Sequence, residues 1–277
     1  MRVAERLLEL AVMGRMALYT DIDGTISPIA ATPADAFLLP GAAEALSEIC
    51  AHGIRVVAIS GRAAADARRL VGLQELDYAG NHGFELMTAS GRVISEDVAA
   101  ASMNVSAALA EVESLADALP NGLIIEDKTF TGSVHYRLTK NPNASAIVLK
   151  AVLSEIADRY GLLLTEGRLV FELRPRLDIN KGVFVVNDIR LRGIKTAAFL
   201  GDDITDLDGF RALRELTESG ELLASASIGV RAPESPARLL AESDLIVDGV
   251  TGMVAELQRF AAELSNWSPT WETDSSR

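Results

Sequence analysis

Two carboxylates lie two residues apart near the start of the chain, in the stretch YTDIDGTISPI at residues 19–29. Asp21 and Asp23 follow an apolar run and precede a glycine, a pattern typical of a tight turn at the end of a buried strand. Like charges this close repel each other unless a cation or a shared proton offsets them. The pair therefore indicates a turn that binds a cation or reacts; the alternative is that both residues only form the turn.

Three other polar groups occur where the chain leaves or enters a predicted element. Ser60, Gly61 and Arg62 follow a second apolar run, GDDITD at residues 201–206 follows a late one, and Asn-Lys-Gly at residues 180–182 opens a predicted helix. The carboxyl ends of parallel strands meet at one edge of a sheet, where ligands bind. We therefore expect all four groups to form one site.

The chemistry of this site follows from its residue types. Carboxylates are the hard oxygen ligands that Mg²⁺ prefers, and a hydroxyl and a lysine bind phosphoryl oxygens. We expect Asp21 and Asp202 to neutralise a magnesium ion, and Ser60 and Lys181 to bind a phosphoryl group beside it. We assign Asp206 to the metal site as well, where it would support Asp202. The alternative is that the acidic residues of GDDITD cap the helix that follows them.

The elements that must position these residues alternate between strand and helix. Such alternation is typical of parallel strands joined by crossover helices, so the sequence predicts an α/β fold with a Rossmann-like core. Amphipathic segments between the apolar runs predict the helices. The predicted core strands lie at residues 16–19, 54–60, 76–80, 196–203, 226–230 and 244–249.

The middle of the chain has a different pattern. Strand pairs around Gly91, Gly132 and Gly167 predict one antiparallel sheet, backed by helices at 105–119 and 144–160. We interpret residues 84–175 as an inserted α+β cap domain, and residues 1–83 and 176–277 as the core. Alternation along the cap strands gives one polar face, which either meets solvent or closes over the site. Its members are Glu126, Lys128, His135, Arg137, Glu172 and Arg174.

Composition limits the possible functions. The 277 residues are 49% hydrophobic and 23% charged, with a formal net charge of −13. These values predict a soluble globular protein and argue against a broad surface for nucleic acid or an anionic membrane. The single cysteine, Cys50, excludes an internal disulfide, and no stretch is apolar and long enough to span a bilayer. Residues 1–16 predict an amphipathic helix rather than a signal peptide, which favours a cytoplasmic protein, and residues 265–277 predict a loose polar tail.

In order along the chain, DIDGT, Ser60, Lys181 and GDDITD resemble the four motifs of the haloacid dehalogenase superfamily of phosphatases. The resemblance implies that Asp21 attacks phosphorus, while Asp23 protonates the leaving oxygen and then activates water. It also implies that the metal ion takes the Asp21 side chain, the Asp23 backbone carbonyl and Asp202. Whether Asp203 or Asp206 contacts the metal directly stays open.

More of the chain, from about residue 18 to 264, resembles the trehalose-6-phosphate phosphatases. The matching stretches are GNHG at 80–83, EDK at 126–128, VHYR at 134–137, ELRP at 172–175, NKG at 180–182 and GDDITDLDGFRAL at 201–213. The resemblance implies Mg²⁺-dependent hydrolysis of trehalose 6-phosphate, a small-molecule sugar phosphate. The implied substrate-binding residues are Gly61, Arg62, Asn81, His82, Gly83, Glu126, Lys128, His135, Arg137, Glu172, Arg174 and Asn180.

Three other functions fit parts of the pattern. A related phosphatase acting on another sugar phosphate, such as mannosyl-3-phosphoglycerate or sucrose phosphate, would use the same motifs. A signalling phosphoacceptor domain also places acidic residues, a hydroxyl and a lysine around Mg²⁺, but it leaves Asp23 and the cap unexplained. An inactive sugar-phosphate sensor would not need every catalytic group that this chain retains. The sequence does not indicate an oligomeric state.

Overall fold

The computed structural model describes residues 2–30, 32–94 and 96–267. In the described part of the chain, strands form two sheets, an eight-stranded sheet and a four-stranded sheet. In chain order the strands are β1 (Met16–Thr20), β2 (Arg55–Ile59), β3 (Asp77–Gly80), β4 (Glu85–Thr88), β5 (Gly91–Ile94), β6 (Ile124–Asp127), β7 (Gly132–His135), β8 (Leu162–Gly167), β9 (Val170–Pro175), β10 (Thr196–Gly201), β11 (Ala224–Arg231) and β12 (Leu245–Asp248).

Helices connect these strands and cover both sheets. In chain order they are α1 (Val3–Met13), α2 (Ala42–Ala51), α3 (Ala64–Val71), α4 (Glu96–Ser114), α5 (Pro142–Arg159), α6 (Lys181–Arg192), α7 (Leu207–Glu218), α8 (Ala237–Glu242) and α9 (Gly249–Asn266). The predicted N-terminal helix is confirmed as α1, which buries Leu7 and Leu10. No helix in the described ranges is both long and apolar enough to cross a membrane.

The larger sheet has the strand order β12-β11-β10-β1-β2-β3-β4-β5. Its strands from β12 to β3 pair in parallel, which confirms the predicted parallel sheet with crossover helices. Helices cover both faces, so these strands are apolar on both sides. Leu18 of β1 packs in one core with α1, α2, α3 and α9, while its neighbour Tyr19 packs in the other with α6 and α7.

The hairpin of β4 and β5 departs from the prediction. The sequence places the strand pair around Gly91 in the cap, but β4 pairs antiparallel with β3, and β5 with β4, at the edge of the larger sheet. Only the short segment 81–84 separates β3 from β4, so the chain turns back onto the strand that it has just left. The larger sheet therefore extends beyond the predicted boundary at residue 83, and α4 begins earlier than predicted, at Glu96.

The smaller sheet has the order β6-β7-β9-β8 with antiparallel pairing throughout. Helices α4 and α5 pack on one face of it, against Val134, Phe171 and Leu173. The predicted apolar face of the cap is therefore confirmed, and its opposite face is polar. We keep the division into core and cap as a proposal, with the cap beginning at α4.

The predicted polar tail falls largely outside the described residues. Helix α9 continues to Asn266, so the first two residues of that predicted tail are helical. Residues 268–277 lie outside the described ranges.

Candidate active site

The predicted polar groups converge at the carboxyl edge of the larger sheet. Asp21 follows β1, Ser60 follows β2 and Asp202 follows β10, and the backbone N–H of Asp21 donates to the Leu200 carbonyl of the adjacent β10 at 2.9 Å. Lys181, the first residue of α6, reaches the same place. Its Nζ lies 3.2 Å from Asp21 Oδ1. The strand order thus joins motifs from both ends of the chain.

Three buried carboxylates form a compact cluster there. Oxygen atoms of Asp21, Asp202 and Asp206 lie within 4.8 Å of one another. Burial, together with the charges of Asp206 and Asp23, raises the pKa of Asp21 to about 7, although Lys181 acts in the opposite direction. Burial and the neighbouring Asp21 and Asp206 also raise the pKa of Asp202. A divalent cation would relieve this repulsion, and hard carboxylate oxygens are ligands that such ions prefer, so the residues fit a divalent metal ion.

The turn after β1 makes room for this cluster. Gly24 has φ of +90°, a conformation that side chains disfavour, and a Cβ there would lie 2.0 Å from Asp202 Oδ2. The Thr25 hydroxyl donates to Asp202 Oδ1 at 3.2 Å. The glycine of the DIDGT stretch is therefore required by the close approach of the late acidic loop.

Asp206 and Lys181 stabilise each other inside the cluster. Asp206 Oδ1 accepts from Lys181 Nζ at 2.6 Å, and Asp206 Oδ2 accepts from the backbone N–H groups of Asp202 and Asp203, each at 2.9 Å. Both Asp206 oxygens are thus used by the protein. Burial lowers the pKa of Lys181, but Asp206 and Asp21 outweigh burial and the pKa is raised. Asp203 caps the following turn by accepting from the Ile204 N–H.

Asp23 has a different partner from Asp21. Arg62 donates two hydrogen bonds to the Asp23 carboxylate, from Nε to Oδ2 at 2.6 Å and from Nη2 to Oδ1 at 2.7 Å. Arg62 also donates its backbone N–H to the buried Ser60 hydroxyl at 3.2 Å. Arg62 was predicted to bind substrate. In the structure its guanidinium binds Asp23, and the residue also lines the cavity described next.

A cavity of about 470 Å³ lies between these loops and the polar face of the cap sheet. All six predicted members of that face line it, so the face borders the cavity. That the face closes over the site as a cap stays a prediction. Ser60, Gly61, Arg62 and His82 line it from the core. The other core residues along the cavity include Asp21, Asp23, Lys181 and Asp202.

Glu172 is the centre of the polar face. It is 8% exposed and its carboxylate lies 3.3 Å from Lys128 Nζ, 3.3 Å from the Thr131 hydroxyl and 3.5 Å from His82 Nε2. Burial raises the pKa of Glu172, but the charges of Lys128 and His82 outweigh it and hold the pKa well below its usual range. Burial lowers the pKa of His82, whose buried Nδ1 has no hydrogen-bond partner among the described residues.

The remaining polar residues of the cap face differ in the partners that they already have within the protein. Glu126 and His135 pair at 3.2 Å, and each side chain is 25% exposed. Arg137 donates to the Ala30 and Arg168 carbonyls, each at 3.4 Å. Arg174 donates to the Ile179 carbonyl at 2.9 Å and lies over the Phe84 ring.

Three residues predicted to bind substrate do not line the cavity. Asn81 is fully buried and bridges core and cap, because its amide donates to Glu85 and to the Lys128 carbonyl while its oxygen accepts from Thr131. Gly83 has φ of +107°, and a Cβ there would lie 3.0 Å from Phe184, so it allows close packing on α6. Asn180 caps α6 by accepting from the Val183 N–H at 2.9 Å.

Other residues of the cavity wall escaped sequence reasoning. Thr165 of β8 pairs with Glu172 of β9, so both side chains lie on the same face of the sheet. The alternation of polar residues along β9, applied to its neighbour β8, would have identified Thr165. Ile29, Ala30 and Thr32 line the cavity from the loop after β1, where no periodic pattern marks them. Thr131 does not line the cavity, but its hydroxyl contacts Glu172; it was missed because it lies in the turn after EDK.

The fold is shared with solved structures. One described as a haloacid dehalogenase-like hydrolase from Bacteroides thetaiotaomicron superposes with a TM-score of 0.61 at 15% identity, over 89% of this chain and 99% of that chain. The C-terminal domain of a trehalose-6-phosphate phosphatase from C. albicans superposes with a TM-score of 0.76 at 20% identity, over 94% and 97%. The architecture is therefore that of the haloacid dehalogenase-like hydrolases.

Sequence comparison defines the family more narrowly. The family model described as trehalose-phosphatase matches residues 19–242. A trehalose-phosphate phosphatase of Mycobacterium tuberculosis is 38% identical over 200 residues, which cover 70% of this chain and 50% of that protein. The chain belongs to the trehalose-phosphatase family. It spans about half the length of the mycobacterial relatives it matches at this identity.

Proposed function

We propose that this protein hydrolyses trehalose 6-phosphate to trehalose and phosphate, with Mg²⁺ as its metal ion. The proposal rests on one observation above all: a buried group of Asp21, Asp202 and Lys181 opens into a cavity walled by the polar face of the cap. The buried group suits a phosphoryl group and the polar wall suits a sugar. Membership of the trehalose-phosphatase family supports this substrate.

Asp21 is the proposed nucleophile. One of its oxygens forms a bond to phosphorus as the bond from phosphorus to the sugar oxygen breaks, which leaves a phosphoaspartyl group. A bound Mg²⁺, held by Asp21 and Asp202, would supply positive charge that offsets these carboxylates against an anionic ester. Lys181, 3.2 Å from Asp21 Oδ1, adds a second positive charge at the same place.

Asp23 is the proposed proton carrier. It donates a proton to the departing sugar oxygen, and it then takes a proton from the water that attacks phosphorus and releases phosphate from Asp21. In the structure both Asp23 oxygens accept from Arg62. Asp23 must therefore exchange one of these hydrogen bonds for the substrate, while the other keeps it oriented.

The polar face of the cap is the proposed sugar site. A volume of about 470 Å³ falls within the range of about 300–1,000 Å³ typical of small-molecule sites. Sugar hydroxyls both donate and accept, and the pairs Glu126 with His135 and Glu172 with Lys128 offer both functions side by side. A site built in this way rejects ligands that leave its buried polar groups unpaired.

Phosphate release across a substrate panel tests the proposal. We expect trehalose 6-phosphate to have a higher kcat/KM than glucose 6-phosphate, sucrose phosphate and mannosyl-3-phosphoglycerate, and we expect excess chelator to abolish turnover until Mg²⁺ is added. Rapid quenching should trap phosphate on Asp21, detected by mass spectrometry. Preference for another sugar phosphate would contradict the substrate assignment, and phosphate on Ser60 would contradict the nucleophile.

A further inference from the structure

Lys128 belongs to the cap but contacts the catalytic loop of the core. Its Nζ donates to the Gly61 carbonyl at 2.9 Å and lies 3.3 Å from Glu172 Oε1. The side chain is only 10% exposed, although it borders the cavity. An ammonium group carries three donors, so one group can serve the loop, Glu172 and a ligand together.

The loop that Lys128 contacts carries the groups that orient Asp23. Gly61 lies between Ser60 and Arg62, and Arg62 holds both oxygens of Asp23. The Arg62 backbone N–H donates to the Ser60 hydroxyl, so a shift of the loop moves all of these groups together. The Lys128 ammonium is thus connected to the Asp23 carboxylate through Gly61 and Arg62.

The loop itself is tightly confined at this point. A Cβ on Gly61 would lie 2.8 Å from His82 Nε2, so a side chain at this position would require the loop or the imidazole to shift. His82 in turn lies 3.5 Å from Glu172 Oε2, and Glu172 contacts Lys128. The loop is therefore held from two sides, by His82 of the core and by Lys128 of the cap.

We propose that Lys128 is a positioning residue for the proton carrier Asp23, in addition to any contact that it makes with the sugar. It acts through the Gly61 carbonyl and Arg62, so correct placement of the cap is a condition for the chemical steps themselves. This inference rests on the proposed function. It requires that removing the Lys128 ammonium slows turnover even of a substrate that has no sugar.

The test uses Lys128→Met, which keeps the apolar stem of the side chain and removes its charge. We expect kcat for a small aryl phosphate to fall about tenfold or more, with little change in KM, and Lys128→Arg to restore part of the loss. Lys150→Met is the matched control, because Lys150 is a cap lysine paired with Glu166 and 65% exposed. It should turn over the aryl phosphate at the wild-type rate.

A double-mutant cycle separates positioning from general damage to the fold. If Lys128 acts through Arg62, Lys128→Met should slow the aryl phosphate reaction little further in an Arg62→Ala background. Fully multiplicative losses would overturn the inference, as would a wild-type kcat for Lys128→Met on the aryl phosphate. A wild-type protein that turns over neither the aryl phosphate nor trehalose 6-phosphate would instead contradict the proposed function.

Discussion

Asp21 and Asp23 are two residues apart but have different surroundings. Asp21 is buried beside Lys181, Asp202 and Asp206, whereas Asp23 is partly exposed and held by Arg62. Each of the two carboxylates therefore has its own cationic partner, Lys181 for Asp21 and Arg62 for Asp23. In the proposed mechanism one carboxylate attacks and the other carries a proton, and this difference follows from their environments, since their residue types are the same.

The pH dependence of stability in chelator should reveal the buried Asp21. Its pKa is raised from 3.8 to about 7, so the native state keeps a proton that the unfolded state has released, and stability is lost as pH rises between these values. His82 has a lowered pKa and acts in the opposite direction. The measured quantity is therefore the Tm of wild type minus the Tm of Asp21→Asn.

We expect this Tm difference to fall from pH 5 to about pH 7 in chelator and to level off by pH 8, and Mg²⁺ to reverse the fall at pH 8. The corresponding change in free energy is on the order of a few kcal/mol. Asp66→Asn serves as a control, because Asp66 is a surface residue paired with Arg69. A Tm difference that stays constant or rises with pH would show that Asp21 is ionised without a metal ion.

Much of the site could be predicted at the level of single residues. Asp21, Asp202 and Lys181 occur in motifs whose order along the chain is distinctive, and the structure brings them together. The contact of Arg62 with Asp23 could not be predicted, since it depends on side-chain directions across a gap of 39 residues. Lys128 was assigned to the sugar alone for the same reason, because its contact with Gly61 spans 67 residues.

At the scale of elements, the turn after β1 shapes the acidic cluster that would hold a metal ion. Gly24 combines a φ of +90° with a backbone so close to the late acidic loop that a Cβ would lie 2.0 Å from Asp202 Oδ2. We expect Gly24→Ala to displace Asp202 and to weaken Mg²⁺ binding at least tenfold in a calorimetric titration. The backbone strain alone should cost about 1–2 kcal/mol of stability.

Gly53→Ala provides the matched control for this turn. Gly53 has φ of +78°, and a Cβ there would meet nothing within 4 Å. It should therefore show a similar loss of stability with unchanged Mg²⁺ affinity. Equal Mg²⁺ affinity in both variants would mean that the close approach of Gly24 to Asp202 does not shape the site.

Element types were easier to predict than partners. The core strands are continuous apolar runs between helices, and this pattern fixes a parallel sheet covered on both faces. The hairpin of β4 and β5 alternates in the same way as the cap hairpins, so its pattern could not show which sheet it joins. The short connection after β3 brings β4 back against β3, and only the structure shows this pairing of β4 with β3.

At the scale of the whole molecule, the cap touches the core on both sides of the cavity. Near the connections, Phe130 of the turn after β6 packs with Phe84 and Val98 and lies under the Arg92 guanidinium. Across the cavity, the Arg168 guanidinium at the tip of the β8–β9 hairpin lies 3.6 Å from the Glu234 carboxylate. The first contact is apolar and buried, whereas the second joins Arg168 to the carboxylate and the backbone carbonyl of Glu234, whose side chain is 73% exposed.

This asymmetry predicts that the cap opens at the Arg168 end. An exposed ion pair contributes about 0–1 kcal/mol, so Glu234→Arg should replace a weak attraction by repulsion without unfolding the protein. We expect ligand-free Glu234→Arg to have a larger radius of gyration in small-angle scattering. The double exchange of Glu234→Arg with Arg168→Glu should restore the wild-type value, and an unchanged radius in the single variant would contradict the prediction.

The pairing of β1 with β10 also has a consequence for the order of events during synthesis. Met16 pairs with Thr196, so the strand that carries Asp21 lacks this neighbour until the ribosome has made most of the chain. At about 5–20 residues per second, the delay is roughly ten to forty seconds. All four strands of the smaller sheet are made within that interval. A nascent chain therefore contains all four strands of the smaller sheet before Lys181 and Asp202 have been made. The proposed phosphatase activity requires that this later part of the chain has been translated.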